Sequence, residues 1–153
     1  MSYFSFNEKN INNLIEISNN AGQVILDVYN TSFEFEMKDD RSPLTKADIN
    51  SDRLITSSLN KLTPGIPILS EESSDIPISK RQDWREYWLV DPLDGTKEFI
   101  KRNGEFTTNI ALIREGRPVF GIIHVPAKNE TYWGANEIGS YVLASNFSEK
   151  PTR

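Results

Sequence analysis

From Phe106 to Ala144 the chain reads as four β-rich runs, FTTNIALI, PVFGIIHVP, ETYWGA and SYVLA, separated by the short polar stretches REGR, AKN and NEIG. Links of three or four residues leave room for hairpins and none for crossover helices, so the pattern predicts an antiparallel meander. The chain ahead of it has a different period. In FSFNEKNINNLIEISNNAGQVILDVYN, Ile11, Leu14, Ile15, Ala21, Ile25 and Val28 recur at helical spacing, and Ser5 with Glu8 is placed to form a capping box. A second helix is expected from near Thr45, with Leu54, Ile55 and Leu59 facing inward, and TPG ends it. Between these helices FEFEM, residues 33–37, alternates as a half-buried strand does. IPILSEES supplies a short strand from Ile66 to Leu69, and REYWLVD supplies another that ends at Asp91. Helices first and strands later imply an α+β fold, a layered α/β sandwich with N-terminal helices packed on a largely antiparallel sheet. Residues 73–84 read as a mobile loop, and the last eight residues, NFSEKPTR, as a tail without a closing element.

The residue inventory removes whole classes of chemistry. With 153 residues, 37% of them hydrophobic, the chain has enough material for one core, and a single domain over 1–153 is expected. It has no cysteine, which rules out disulfides, iron–sulfur clusters, thiolate zinc sites and cysteine nucleophiles. His124 is the only histidine and stands in the apolar run IIHVP, so it reads as a packing residue or a polar tip, not as a ligand or base. A formal charge of −5 argues against a binder of nucleic-acid polymers and turns attention to the acidic residues. No basic leader opens the chain and no run of about 18 apolar residues occurs, so no transmembrane segment is expected. The default compartment is the cytoplasm, with peripheral attachment to the inner membrane left open.

Those acidic residues gather around WLVDPLDGTKEFI. Asp91 ends a strand and Pro92 fixes φ near about −65°, so the chain turns and Asp94 comes back beside Asp91. Two carboxylates so placed repel. A hard divalent cation offsets the repulsion, because magnesium favours carboxylate, carbonyl and water oxygens, and the Leu93 carbonyl is a further donor. Gly95 permits close backbone approach, and a helix starting near Thr96 aims free N–H groups at an anion. The same residues also suit an Asp-Gly turn whose aspartates cap backbone N–H groups, while Glu71 and Glu72 suit a solvated loop. Asp48 in LTKADIN suits a capping-box partner of Thr45. What favours the metal reading is company, since two strands stop in carboxylates and a sheet that sets them side by side converges three or four.

In order and spacing, SPLTKAD, SEES and VDPLDGT resemble the lithium-sensitive, magnesium-dependent phosphomonoesterases of the inositol monophosphatase superfamily. The run YWLVDPLDGTKEFIKRNGEFTTNIALI, Tyr87 to Ile113, is similar to its 3'(2'),5'-bisphosphate nucleotidase branch. The resemblance implies the N-terminal half of the inositol monophosphatase-like (sugar phosphatase) fold and a phosphatase using two or three Mg²⁺ ions. Its substrate would be a small phosphomonoester, adenosine 3',5'-bisphosphate, converted to AMP and phosphate in sulfate assimilation. Carried over, Glu71 ligates the first ion, Asp91 bridges two, the Leu93 carbonyl binds the first and Asp94 the second. Glu71, Leu93, Asp94, Gly95 and Thr96 then line the substrate, and Asp48 with Thr96 orients the attacking water. The family pattern runs on well past this length and brings a Trp-Asp pair, whereas the tryptophans here are followed by Arg85, Leu89 and Gly134. The chain is therefore expected to be the metal-binding half of such an enzyme without its C-terminal half, exposing a surface that invites self-association. Two alternatives stay open: an inositol monophosphatase-like enzyme of broader scope, and a non-catalytic metal-binding fragment.

Overall fold

A computed structural model describes residues 3–31, 43–73, 75–144 and 147–151. Two long helices, α1 (Glu8–Tyr29) and α2 (Pro43–Leu62), precede a seven-stranded sheet whose spatial order follows the chain. The strands are β1 (Ile68–Ser70), β2 (Glu86–Asp94), β3 (Thr107–Arg114), β4 (Arg117–Val125), β5 (Glu130–Ala135), β6 (Gly139–Ala144) and β7 (Phe147–Pro151). Among the described residues β1 and β2 are the one parallel pair, and all later neighbours are antiparallel. A short α3 (Ile78–Arg81) lies in the β1–β2 crossover, and α4 (Thr96–Lys101) follows β2. The α+β sandwich and the meander are as the sequence predicts.

Both helices lie on one face of the sheet. Ile11, Leu14, Ile17 and Ala21 of α1 and Ile55 and Leu59 of α2 pack against Trp88, Val90, Ile110, Leu112, Phe120 and Ile122, which alternate along β2, β3 and β4. Each large apolar side chain so buried contributes roughly 1.5–3 kcal/mol relative to exposure. Phe4 and Phe6 close the layer, their rings 5.8 Å from Trp88 and 5.2 Å from Phe120. A second cluster, Ile25, Val28, Ala47, Leu93, Phe99 and Phe106, sits under the turn that follows β2. It anchors that turn to both helices.

Several local expectations are corrected. The cap of α1 is Asn7, whose side chain accepts from the Asn10 N–H at 2.9 Å, so the Ser5–Glu8 capping box does not form. Helix α2 starts at Pro43, a favoured first position, which places Thr45 inside the first turn and removes the capping role proposed for Asp48. Thr63, read only as part of the TPG stop, is buried; its hydroxyl donates to the Leu59 carbonyl and accepts from Trp88 Nε1, both at 2.9 Å. The tail is not open, because β7 pairs with β6, and Pro151 is tolerated on an edge strand. One helical turn, α3, occupies the segment read as a loop. The strand expected over 33–37 lies outside the described residues.

His124 packs as expected, though its partner was not foreseen. It is buried on β4 and hydrogen-bonds through Nδ1 to Thr131 Oγ1, whose own proton goes to Asn19 of α1. Burial holds its pKa below the ordinary imidazole value. Its ring lies directly over Gly22, where a Cβ would come within 2.4 Å of Cδ2. That glycine sets how closely α1 approaches the sheet. No helix among the described residues is long and apolar enough to cross a membrane.

Candidate active site

The carboxylates meet because of strand direction and register. Ser70 of β1 is level with Val90 of β2 and the pair is parallel, so the next residues, Glu71 and Asp91, emerge side by side. In a regular strand Asp91 and Asp94, three apart, would point to opposite faces. Opposite that span β3 uses only two steps, Asn109 to Thr107, which makes the β2 segment a bulge. The extra residue returns Asp94 to the face of Asp91. Leu93 turns inward and is buried in the second cluster, while the Pro92 carbonyl accepts from Ser51 Oγ at 2.8 Å and Thr108 Oγ1 at 3.2 Å. A hydroxyl from α2 and another from β3 thus fix the turn from two sides.

Gly95 follows with φ +91°, and a Cβ there would meet the Glu105 carbonyl oxygen at 2.9 Å. Only glycine fits this left-handed position against backbone. It caps α4, of which Thr96 is the first residue; the Thr96 hydroxyl has no hydrogen-bond partner among the described residues.

Asp48 reaches the same corner from the second turn of α2, where Glu72 is its nearest acidic influence, while Glu71 plays that part for Asp91. Burial first, then the neighbouring Glu72 carboxyl and the charges of Asp91 and Glu71, pushes Asp48 up to about 8. Burial, then the charges of Glu71 and Asp94, pushes Asp91 up to about 6, although the nearby Leu93 backbone acts in the opposite direction. The corner is a patch of uncompensated negative charge. Among the described residues no three His, Cys, Asp or Glu side chains already stand in coordinating geometry. Oδ1 of Asp48, of Asp91 and of Asn109 is nevertheless buried without a hydrogen-bond partner. Buried acceptors left unpaired call for a donor or a cation, and an all-oxygen set suits a hard divalent ion. The residues present fit magnesium.

The structure thus brings Asp48, Glu71, Glu72, Asp91 and Asp94 into one electrostatic cluster and sets Gly95 and Thr96 at its rim. Sequence reasoning missed the residues that hold it. Ser70 donates to Asp52, one turn beyond Asp48 on α2, and Asn109 Nδ2 donates to Asp94 Oδ2 at 3.2 Å. The i, i+4 spacing of Asp48 and Asp52 was a usable signal; Asn109 and Ser51 gave none. From Glu71, Asp91 and Asn109 a groove of about 770 Å³ runs over Leu89, Ala111 and Gly121 on the sheet face away from the helices, with Arg81 in its wall.

An acidic corner built on a parallel strand pair, a bulged Asp-Pro-Leu-Asp-Gly turn and a two-helix layer defines a family here: residues 7–152 match the inositol monophosphatase family, and the chain belongs to it. Among characterised relatives it is 52% identical over 123 residues to the 3'(2'),5'-bisphosphate nucleotidase CysQ of Salmonella typhimurium, covering 78% of this chain and 49% of that protein. It is 44% identical over 131 residues to CysQ of Aggregatibacter actinomycetemcomitans, covering 86% and 49%. The crystal structure of CysQ from Bacteroides thetaiotaomicron superposes with a TM-score of 0.82 at 42% identity, over 92% of this chain and 51% of that one. The chain spans about half the length of the relatives it matches.

Proposed function

We propose that this chain carries the metal-binding half of a magnesium-dependent 3'(2'),5'-bisphosphate nucleotidase that hydrolyses adenosine 3',5'-bisphosphate to AMP and phosphate. The observation that carries this reading is the convergence of Asp48, Glu71, Asp91 and Asp94, with buried oxygens left unpaired at Asp48 and Asp91. Similarity to proteins named as 3'(2'),5'-bisphosphate nucleotidases supports the choice of substrate.

In this reading Glu71, Asp91, the Leu93 carbonyl and Asp94 hold two or three Mg²⁺ ions. When bound, magnesium polarises a phosphoryl oxygen and makes water more acidic. The cation would offset the charges of Glu71 and Asp94 that raise the Asp91 carboxyl, leaving it ionised and an acceptor. Gly95 carries no side chain to block a phosphate, and α4 begins directly beyond it at Thr96. Helices α2 and α4 touch, so Asp48 on the first and the Thr96 hydroxyl on the second are the pair that aligns the attacking water and takes up its proton. The −3 charge of Glu71, Asp91 and Asp94 and a dianionic phosphate nearly balance two divalent ions.

The sheet face away from the helices supports a second element of the reading. Leu89, Ile123 and Tyr132 are 42%, 46% and 40% exposed there, beside the low row of Ala111, Gly121 and Gly134. Apolar area of this kind is covered in a working assembly, and self-association is the route open to this chain alone. Sedimentation velocity at two concentrations tests it, and a monomer at both refutes it.

The deciding experiment is phosphate release from adenosine 3',5'-bisphosphate and from inositol 1-phosphate, with and without Mg²⁺ and Li⁺. Magnesium-dependent, lithium-inhibited release from the nucleotide is expected. Release from the inositol ester alone transfers the assignment to the broader phosphatases, and a chain that binds magnesium but releases phosphate from neither is a non-catalytic metal-binding fragment.

A further inference from the structure

Asn109 stands on β3 directly opposite Asp91, on the face to which the bulge returns Asp94. Its amide Nδ2 donates to Asp94 Oδ2 at 3.2 Å, while its Oδ1 is buried with no partner. An asparagine kept for the fold has both ends of its amide paired, because an unpaired buried acceptor costs about 1–3 kcal/mol. Here one end is spent on an exposed acidic side chain, and the other is left without a partner in a residue that lines the same groove as Glu71 and Asp91. Asp94 has no other hydrogen-bond donor among the described residues, and it is not held by packing.

We propose that Asn109 is a positioning residue for Asp94: its amide N–H fixes one carboxylate oxygen and so aims the other at the cation that the corner binds. This rests on the magnesium reading above. A free carboxylate on a turn would have to give up rotamer freedom when it ligates, whereas one already held by an amide has done so beforehand. A neutral amide performs this without adding charge to a patch where Asp91 and Asp94 already repel.

The test is a set of thermal melts of the full chain titrated with MgCl₂, for the wild type, Asn109→Ala, Asp94→Asn and the double variant. Asn109→Ala is expected to raise the half-saturating magnesium concentration by about 10-fold, the lower end of the effect of removing a residue that orients a ligand. In the Asp94→Asn background the same substitution is expected to change it by less than about two-fold, since the residue then has no carboxylate to aim. Asn109→Ser, which keeps a short polar side chain on the strand, replaces the alanine variant if that does not fold and is expected to behave like it. A half-saturating concentration for Asn109→Ala or Asn109→Ser within two-fold of wild type overturns the proposal, as does a full effect that persists beside Asp94→Asn. A wild type with no magnesium-dependent stabilisation removes the metal reading itself, and this inference falls with it.

Discussion

Asp91→Asn separates the metal reading from a purely structural one, because the two predict opposite signs in the absence of magnesium. Burial and the charges of Glu71 and Asp94 raise the Asp91 carboxyl from 3.8 to about 6. A group whose folded pKa is raised contributes stability below its unfolded pKa and loses it as pH rises through the folded one. At about 1.4 kcal/mol per tenfold change in proton affinity, ionised Asp91 costs the metal-free fold at most about 3 kcal/mol at pH 8. Water reaching this half-buried carboxylate screens part of that, which leaves about 1–2 kcal/mol. Asparagine keeps the shape but carries no charge. In EDTA at pH 8 the variant is therefore expected to melt about 3–6 °C above the wild type, at about 2–4 °C per kcal/mol for a chain of this size. Near pH 4, where Asp91 is largely protonated, the difference closes. Magnesium at about 100 times its dissociation constant then adds about 2.7 kcal/mol to the wild type and little to the variant, so the order reverses. The assay is thermal melting with and without magnesium at both pH values. A variant less stable than wild type in EDTA at pH 8 would refute the argument, since it would show Asp91 to be a favourable structural partner in the metal-free fold.

Two further substitutions test how the site is held. Gly22→Ala gains about 1 kcal/mol of helix propensity but drives a methyl into the His124 ring, an overpacking cost of about 1–3 kcal/mol. It is expected to destabilise the wild type and to stabilise a His124→Ala background, read by urea unfolding of the four proteins; the same sign in both backgrounds contradicts the contact. Ser51→Ala is expected to cost about 1 kcal/mol, because Thr108 still donates to the Pro92 carbonyl. Adding Thr108→Val strips that buried carbonyl of both donors and is expected to cost about 1–3 kcal/mol beyond the sum, measured as a double-mutant cycle. Additivity would show that the turn does not depend on them.

The layers and the meander were legible because they rest on periodicity, a property of each segment alone: Ile11 to Val28 on α1, and the alternation through Ile110, Leu112, Phe120 and Ile122 on β3 and β4. The acidic residues were legible because carboxylates at strand ends are conspicuous. What brings them together was not. That Asp94 faces the same way as Asp91 depends on β3 being one residue shorter across the turn, a relation between two strands that neither segment carries by itself. The supports of the turn are hidden for the same reason, since Ser51 and Thr108 lie 41 and 16 residues from the carbonyl they share and look like ordinary hydroxyls in sequence. Local signals also misled where a competing partner was available nearby: Asn7 caps α1 in place of Ser5, and Pro43 opens α2 ahead of Thr45. The arrangement has a mechanical logic. Leu93 is driven into the core among Phe99 and Phe106, and the backbone on either side is pinned by hydroxyls and by a glycine that nothing larger can replace. Hydrophobic burial inside thus sets the spacing of charges outside, so the repulsion between Asp91 and Asp94 is carried by the core and not by the turn. A site built this way does not relax by swinging its carboxylates apart; it relaxes by holding protons more tightly, the direction in which Asp48 and Asp91 are both pushed, or by binding a cation that replaces them.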